Sequence, residues 1–264
     1  MNLVQESEPQ VRLPIKLGVI GVGNCGTVHL DVLRSSEQKK FGLTTVSDLK
    51  QMQIDGVVFF ADYRKLLENP DILAVSVSTE PNVHYQLVMD ALNAGKHVLV
   101  EKPPALTVAQ CEEMARLAIE KNKVLFMAFH ARYHPEVDAA AEELRDKQIK
   151  EINIKYSEWV LNYHDPKGWI FDPKIAGGGV LMDSGINALS IVTKVMPEIQ
   201  WNVTSANFDQ PSDFKVETKA DVEFSFGKNG HGTLSMDWMH KGPEIRQVVF
   251  RTEADEYLVD IARS

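Results

Sequence analysis

The chain has 264 residues, 44% of them hydrophobic and 25% charged, with a net charge of −9. That apolar content supports one large domain or two modest ones and excludes a disordered chain, while the negative charge argues against a nucleic-acid duplex or an anionic membrane as partner. Two cysteines, Cys25 and Cys111, at no metal-ligand spacing, a polar acidic start without a signal-peptide pattern, and no apolar stretch near the roughly 20 residues of a membrane span point to a cytoplasmic protein without a metal site.

The first half alternates short apolar runs with amphipathic ones. Ile15–Ile20 reads as a buried strand, residues 25–35 as a helix and 43–46 as a second strand. Tyr63–Leu67 reads as a short helix ended by Asn69-Pro70, and 72–77 as a further strand. Residues 83–94 form an amphipathic helix stopped by Gly95; His97–Val100 is a strand, 108–121 a helix and 124–129 another strand. This alternation predicts an α/β domain, a doubly wound parallel sheet of Rossmann type, over residues 1–130.

The texture changes after Pro135. A helix is expected over 136–147, and strands over 152–160, 215–226, 232–239, 246–251 and 256–261, with a tight turn at Gly227-Lys228-Asn229-Gly230. One helix, 183–195, interrupts them and stops at Pro197. Residues 131–264 are thus expected to form an α+β domain around an open, mostly antiparallel sheet. One face of that sheet would remain for a second subunit, giving a homodimer or homotetramer.

Gly21-Val22-Gly23-Asn24-Cys25-Gly26 follows a predicted strand and opens a predicted helix. In that setting Gly21 serves the tight turn, Gly23 the approach of a pyrophosphate, and Gly26 close helix–strand packing. Asp48, after Ser47 at the end of the second strand, lies somewhat beyond the usual spacing for the acid that reads the adenosine ribose. It favours NAD over NADP; nearby Lys50 keeps NADP as the alternative, and Asp48 as a simple turn cap is the competing reading. Lys102, directly after the strand His97–Val100, sits where doubly wound sheets place ligands, aimed by a stiff turn because Pro103 follows.

The run Ala94-Gly-Lys-His-Val-Leu-Val-Glu101-Lys102-Pro103, preceded by Pro81-Asn82 and His84, resembles the glucose–fructose oxidoreductase/inositol dehydrogenase (Gfo/Idh/MocA) family. The resemblance implies a nicotinamide domain, a substrate domain and Lys102 at the substrate, with Lys102-Pro103 a candidate cis bond. It extends the dinucleotide contacts to Asn24, Cys25, Ser47, Thr79, Pro81, Asn82, His84 and Glu101, His84 being mainly structural. Gly177-Gly-Gly-Val-Leu-Met-Asp183-Ser-Gly-Ile-Asn187 resembles the helix carrying the family's second catalytic element. Asp183 and Asn187, four apart, share a helix face, Asp183 in the first turn where the dipole favours its charge; a helix cap and a buried amide are the bland alternative.

Most relatives carry histidine where this chain has Asn187. Together with Tyr156-Ser-Glu158, Asn162-Tyr-His164 and Gly168-Trp-Ile, that departure resembles an aldose 1-dehydrogenase branch acting on galactose- and arabinose-type pyranoses. The resemblance implies that Glu158, His164 and Asn187 read sugar hydroxyls, with Asp183 as general base and Lys102 stabilising oxygen charge; the reverse assignment stays open. The alternatives are a family dehydrogenase for another sugar or polyol, and a non-enzymatic sugar and dinucleotide sensor of the same fold. Because the last strands run up to Ser264 without a closing element, the chain is expected to stop short of the usual family C-terminus.

Overall fold

A computed structural model describes residues 13–35 and 39–262; the polar start, residues 1–10, and Ser264 lie outside the described residues. They separate into two compact units, residues 13–79 with 83–127, and 80–82 with 128–262.

The first unit is built on six parallel strands: β1 (Ile15–Ile20), β2 (Phe41–Ser47), β3 (Val58–Phe60), β4 (Ala74–Val77), β5 (His97–Val100) and β6 (Leu125–Met127), in the order β3-β2-β1-β4-β5-β6. The helices are α1 (Asn24–Arg34), α2 (Tyr63–Leu67), α3 (Pro81–Asn93) and α4 (Val108–Glu120). Alternation along the strands produces two cores. Leu17, Val19 and Val46 meet Leu30 of α1 on one face, while Val75, Val77, Val98 and Val100 meet α3 and α4 through Val88, Leu92 and Met114 on the other. This is the doubly wound sheet expected, with β3 added. At three residues, and little buried, that strand is too short to show a period.

In the second unit, helix α5 (Pro135–Glu143) is followed by β7 (Glu151–Ser157), the short α6 (Pro173–Ala176), a π-helical turn at Leu181–Gly185 and α7 (Ile186–Val195), then β8 (Trp201–Asp209), β9 (Lys219–Phe226), β10 (Gly230–Asp237), β11 (Ile245–Arg251) and β12 (Glu256–Asp260). The sheet order is β12-β11-β7-β10-β9-β8, antiparallel except for the central β7–β10 pair. Ile152, Ile154, Leu234, Met236, Val248 and Phe250 form its inner face and pack with Ala188, Ile191, Val192 and Val195 of α7. On the opposite face, Thr233 bonds Asn153 and Ser235 bonds Asp221 across strands.

The sequence reading needs correction at three places here. Strand β8 was not anticipated, because its side chains are mostly exposed and a bulge between Val203 and Ser205 breaks the alternation. The strand expected from residue 215 begins at Lys219, since Thr218 turns its amide to the Asp209 carbonyl and Phe214 stacks on Phe171, 4.7 Å between ring centroids. The helical segment Pro173–Val195, 23 residues with a mean hydropathy of 1.4, also has the length and composition of a membrane span, contrary to the sequence reading. Gly177 breaks it in the left-handed conformation (φ 83°), and α7 packs into the core of its unit.

Candidate active site

The loops after β1, β2, β4 and β5 leave the same carboxyl edge of the first sheet, where strand order reverses between β1 and β4. Gly21 takes φ 88°, and a Cβ there would lie 2.7 Å from the Thr79 methyl and 2.8 Å from the Ser78 carbonyl. At Gly26 a Cβ would stand 2.1 Å from the Gly21 carbonyl oxygen, whereas at Gly23 nothing lies within 4 Å. The turn, the close packing and the open approach therefore fall on the three glycines in the order a dinucleotide requires. The N-cap of α1 is Gly23, which has no side chain to cap with, and the turn that Asn24 and Cys25 open suits a pyrophosphate. Ser78, which the sequence reading missed, steadies the loop by donating to the Gly21 carbonyl at 2.8 Å.

Beyond Ser47, which is buried and accepts the Gly21 amide through its carbonyl, the Asp48 carboxylate accepts the Val22 amide at 2.7 Å and the Lys50 amide at 2.8 Å. The turn-capping role is therefore real. It leaves acceptor capacity for a ribose, because each carboxylate oxygen has two lone pairs. Leu49 beside it is 99% exposed, an apolar surface with no packing role in its unit.

Lys102 follows β5 directly, and the Lys102–Pro103 bond is cis, as the resemblance implies. Glu101 accepts the Lys102 amide at 3.1 Å and contacts His29 at 3.0 Å. Burial alone would raise its pKa; the hydrogen bond and charge of His29, with the Lys102 amide and ammonium, outweigh burial and hold the carboxyl below its ordinary range. His84 is fully buried, its ring nitrogens 2.8 Å from the Pro103 carbonyl and 3.0 Å from that of Thr79. It ties α3, which Pro81 and Asn82 open, to the segment after the cis bond.

In the second unit Asp183 lies inside the π turn, its amide bonded to the Gly179 carbonyl, so it is not the helix cap. Glu217 does that work, accepting the Gly179 and Leu181 amides at 2.9 and 3.3 Å. A Cβ on Gly179 would come within 1.9 Å of the Glu217 carbonyl oxygen, which fixes glycine there. Single π turns inserted in helices recur at functional sites.

Next to Asp183, Ser184 accepts from the Trp238 indole at 2.9 Å and donates to Glu158 at 3.0 Å. The second Glu158 oxygen takes Arg246 at 3.0 Å, and Arg246 also pairs with Glu244 at 3.0 Å, which Tyr163 bonds in turn. Arg246 and Ser184 were missed from sequence; Arg246 reaches this place because β11 pairs it opposite Tyr156 of β7. Asn187 is 8% exposed, and its side-chain oxygen has no hydrogen-bond partner. Burial raises the Tyr156 hydroxyl pKa, and that hydroxyl too is unpartnered. His164 meets Trp169 edge-on at 6.1 Å, with Trp169 partly exposed. Among the described residues no group of three or more His, Cys, Asp or Glu side chains is placed to hold a metal ion.

Comparison with known proteins accounts for both units. Residues 15–129 match the model of the oxidoreductase family with an NAD-binding Rossmann fold, and residues 147–255 match the GFO/IDH/MocA C-terminal domain. Galactose 1-dehydrogenase of Pseudomonas fluorescens is 32% identical over 241 residues, 90% of this chain and 75% of that protein. The crystal structure of D-galactose-1-dehydrogenase from Rhizobium etli superposes with a TM-score of 0.86 at 30% identity, covering 97% of this chain and 81% of that one. GenD2 from gentamicin A biosynthesis, solved in complex with NAD, has a TM-score of 0.85 at 22% identity over 98% of this chain and 76% of its own, and shows the shared fold. A glycine loop shaped for a dinucleotide and family matches over both units lead to one assignment: the chain belongs to the Gfo/Idh/MocA oxidoreductases and carries their NAD-binding Rossmann domain.

Proposed function

We propose that this protein is an NAD-dependent aldose 1-dehydrogenase that oxidises C1 of a galactose- or arabinose-type pyranose to the lactone. The observation that carries the reading is the likeness to galactose 1-dehydrogenase over nine tenths of the chain. Two features of the second unit support it. The buried Asn187 oxygen is an acceptor in want of a donor, a cost a sugar hydroxyl would remove. Trp169, partly exposed beside His164, offers apolar ring surface to sugar C–H groups.

Bound NAD would supply the acceptor for the C1 hydride. Asp183 accepts the C1 hydroxyl proton and Lys102 stabilises the negative charge developing on that oxygen. Glu158, held by Ser184 and Arg246, and His164 and Asn187 select the ring hydroxyls. Asp48 would hold the adenosine ribose of the dinucleotide, and the exposed Leu49 would lie beside its adenine. The protein works as a homo-oligomer joined through the outer face of its second sheet, which light scattering tests directly.

The experiment is a panel of aldoses, polyols and their derivatives with NAD and NADP, followed by the near-ultraviolet absorbance of the reduced nicotinamide. Fastest turnover with galactose or arabinose supports the reading. Preference for a polyol, or tight sugar binding without turnover, overturns it. Lys102→Met and Asp183→Asn should each lower kcat by about 10²–10⁴.

A further inference from the structure

Three elements of the first unit meet at one imidazole. His29 of α1 places Nδ1 2.6 Å from the hydroxyl of Ser76 on β4 and Nε2 3.0 Å from Glu101 at the end of β5. The other Glu101 oxygen accepts the backbone amide of Lys102 at 3.1 Å. We propose that His29 is a positioning residue for Lys102, acting through Glu101. The inference rests on the reading that Lys102 serves the reaction.

The contact with Glu101 has a defined polarity. An ionised carboxylate only accepts, so Nε2 must carry the proton it shares with Glu101. Nδ1 then meets the Ser76 hydroxyl, which donates to a neutral ring and accepts from a charged one. Ser76 is 1% exposed and cannot exchange that contact for water. Ring plane and carboxylate plane are thereby set in sequence, as in histidine–carboxylate pairs whose second contact fixes the first.

A His–Glu pair that merely filled space between helix and sheet would need only one carboxylate oxygen. Here the second oxygen holds the main chain of the residue whose ammonium is at issue, directly before Pro103. The side chains of His29 and Glu101 are only 17% and 13% exposed, so solvent does little to loosen the contact. Since α1 begins at the glycine loop, the relay ties the dinucleotide-binding helix to the backbone that aims Lys102.

The test uses the full chain with His29→Leu, which deletes both contacts, and His29→Gln, whose amide can still donate to Glu101. Hydrogen exchange of the Lys102 amide, read by NMR, reports the backbone without any turnover. His29→Leu should speed that exchange by about tenfold or more, and lower kcat by about 10–100-fold with KM for NAD within about twofold. His29→Gln should return both to within about threefold of the wild type. Equal loss in the two variants, a Leu variant that keeps its kcat, or unchanged amide exchange would each overturn the proposal. If the wild type oxidises no sugar, or Lys102→Met keeps full activity, the functional reading falls instead. The amide exchange still decides whether His29 holds Lys102.

Discussion

At Asp48 one carboxylate serves two amides, those of Val22 in the glycine loop and Lys50 in the turn. Hydrogen bonds to a charged group contribute about 1.5–3 kcal/mol each, so Asp48→Ala should weaken NAD binding by about tenfold or more and narrow the preference over NADP. Fluorescence titration with both dinucleotides checks this; an unchanged ratio removes Asp48 as the ribose reader. Glu101 makes a prediction about pH. Its folded pKa is depressed, so its stabilisation is present above the unfolded value of about 4.3 and lost as pH falls through the lower folded value. Urea midpoints measured toward acid should therefore fall less steeply for Glu101→Gln than for the wild type. The glycines and Lys102 were readable because each occupies a fixed place next to a strand. His29, Ser76 and Glu101 were not readable as a group, since only the β1-β4-β5 order brings residues so distant in the chain together.

Helix α7 and the π turn before it show how an element is held for use. Their first amides end on Glu217, a side chain from the connection into β9, rather than on a local cap. Glu217→Ala should cost about 0.5–2 kcal/mol of stability, as lost helix caps do, and Glu217→Gln less because an acceptor oxygen remains. Denaturant unfolding of both variants measures the difference. A sequence scan sees a helix starting at Asp183, because the apolar period begins there; the turn beginning at Leu181 depends on a partner more than thirty residues away. Exposure and a bulge hid the edge strand β8, while β9, β10 and β11 kept enough alternation to be found.

The described residues form two units of different logic, and the strand–helix alternation of the first was enough to foretell its parallel sheet. NAD at about 100 times its Kd should add about 2.7 kcal/mol to the stability of the state that binds it. In hydrogen exchange the gain should centre on the glycine loop, the Asp48 turn and the Glu101-Lys102 segment; protection confined to the second unit would contradict the assignment of the dinucleotide. The parallel β7–β10 pair at the middle of the second sheet had no local signature, since the strands around it run antiparallel. That pair has a consequence for biosynthesis. When β7 leaves the ribosome, both strands that will flank it, β10 and β11, are still untranslated, so its hydrogen-bonding edges stay open while the intervening helices and two further strands emerge. The Rossmann sheet can close from its own earlier residues, and the nascent second unit is where chaperone protection matters most.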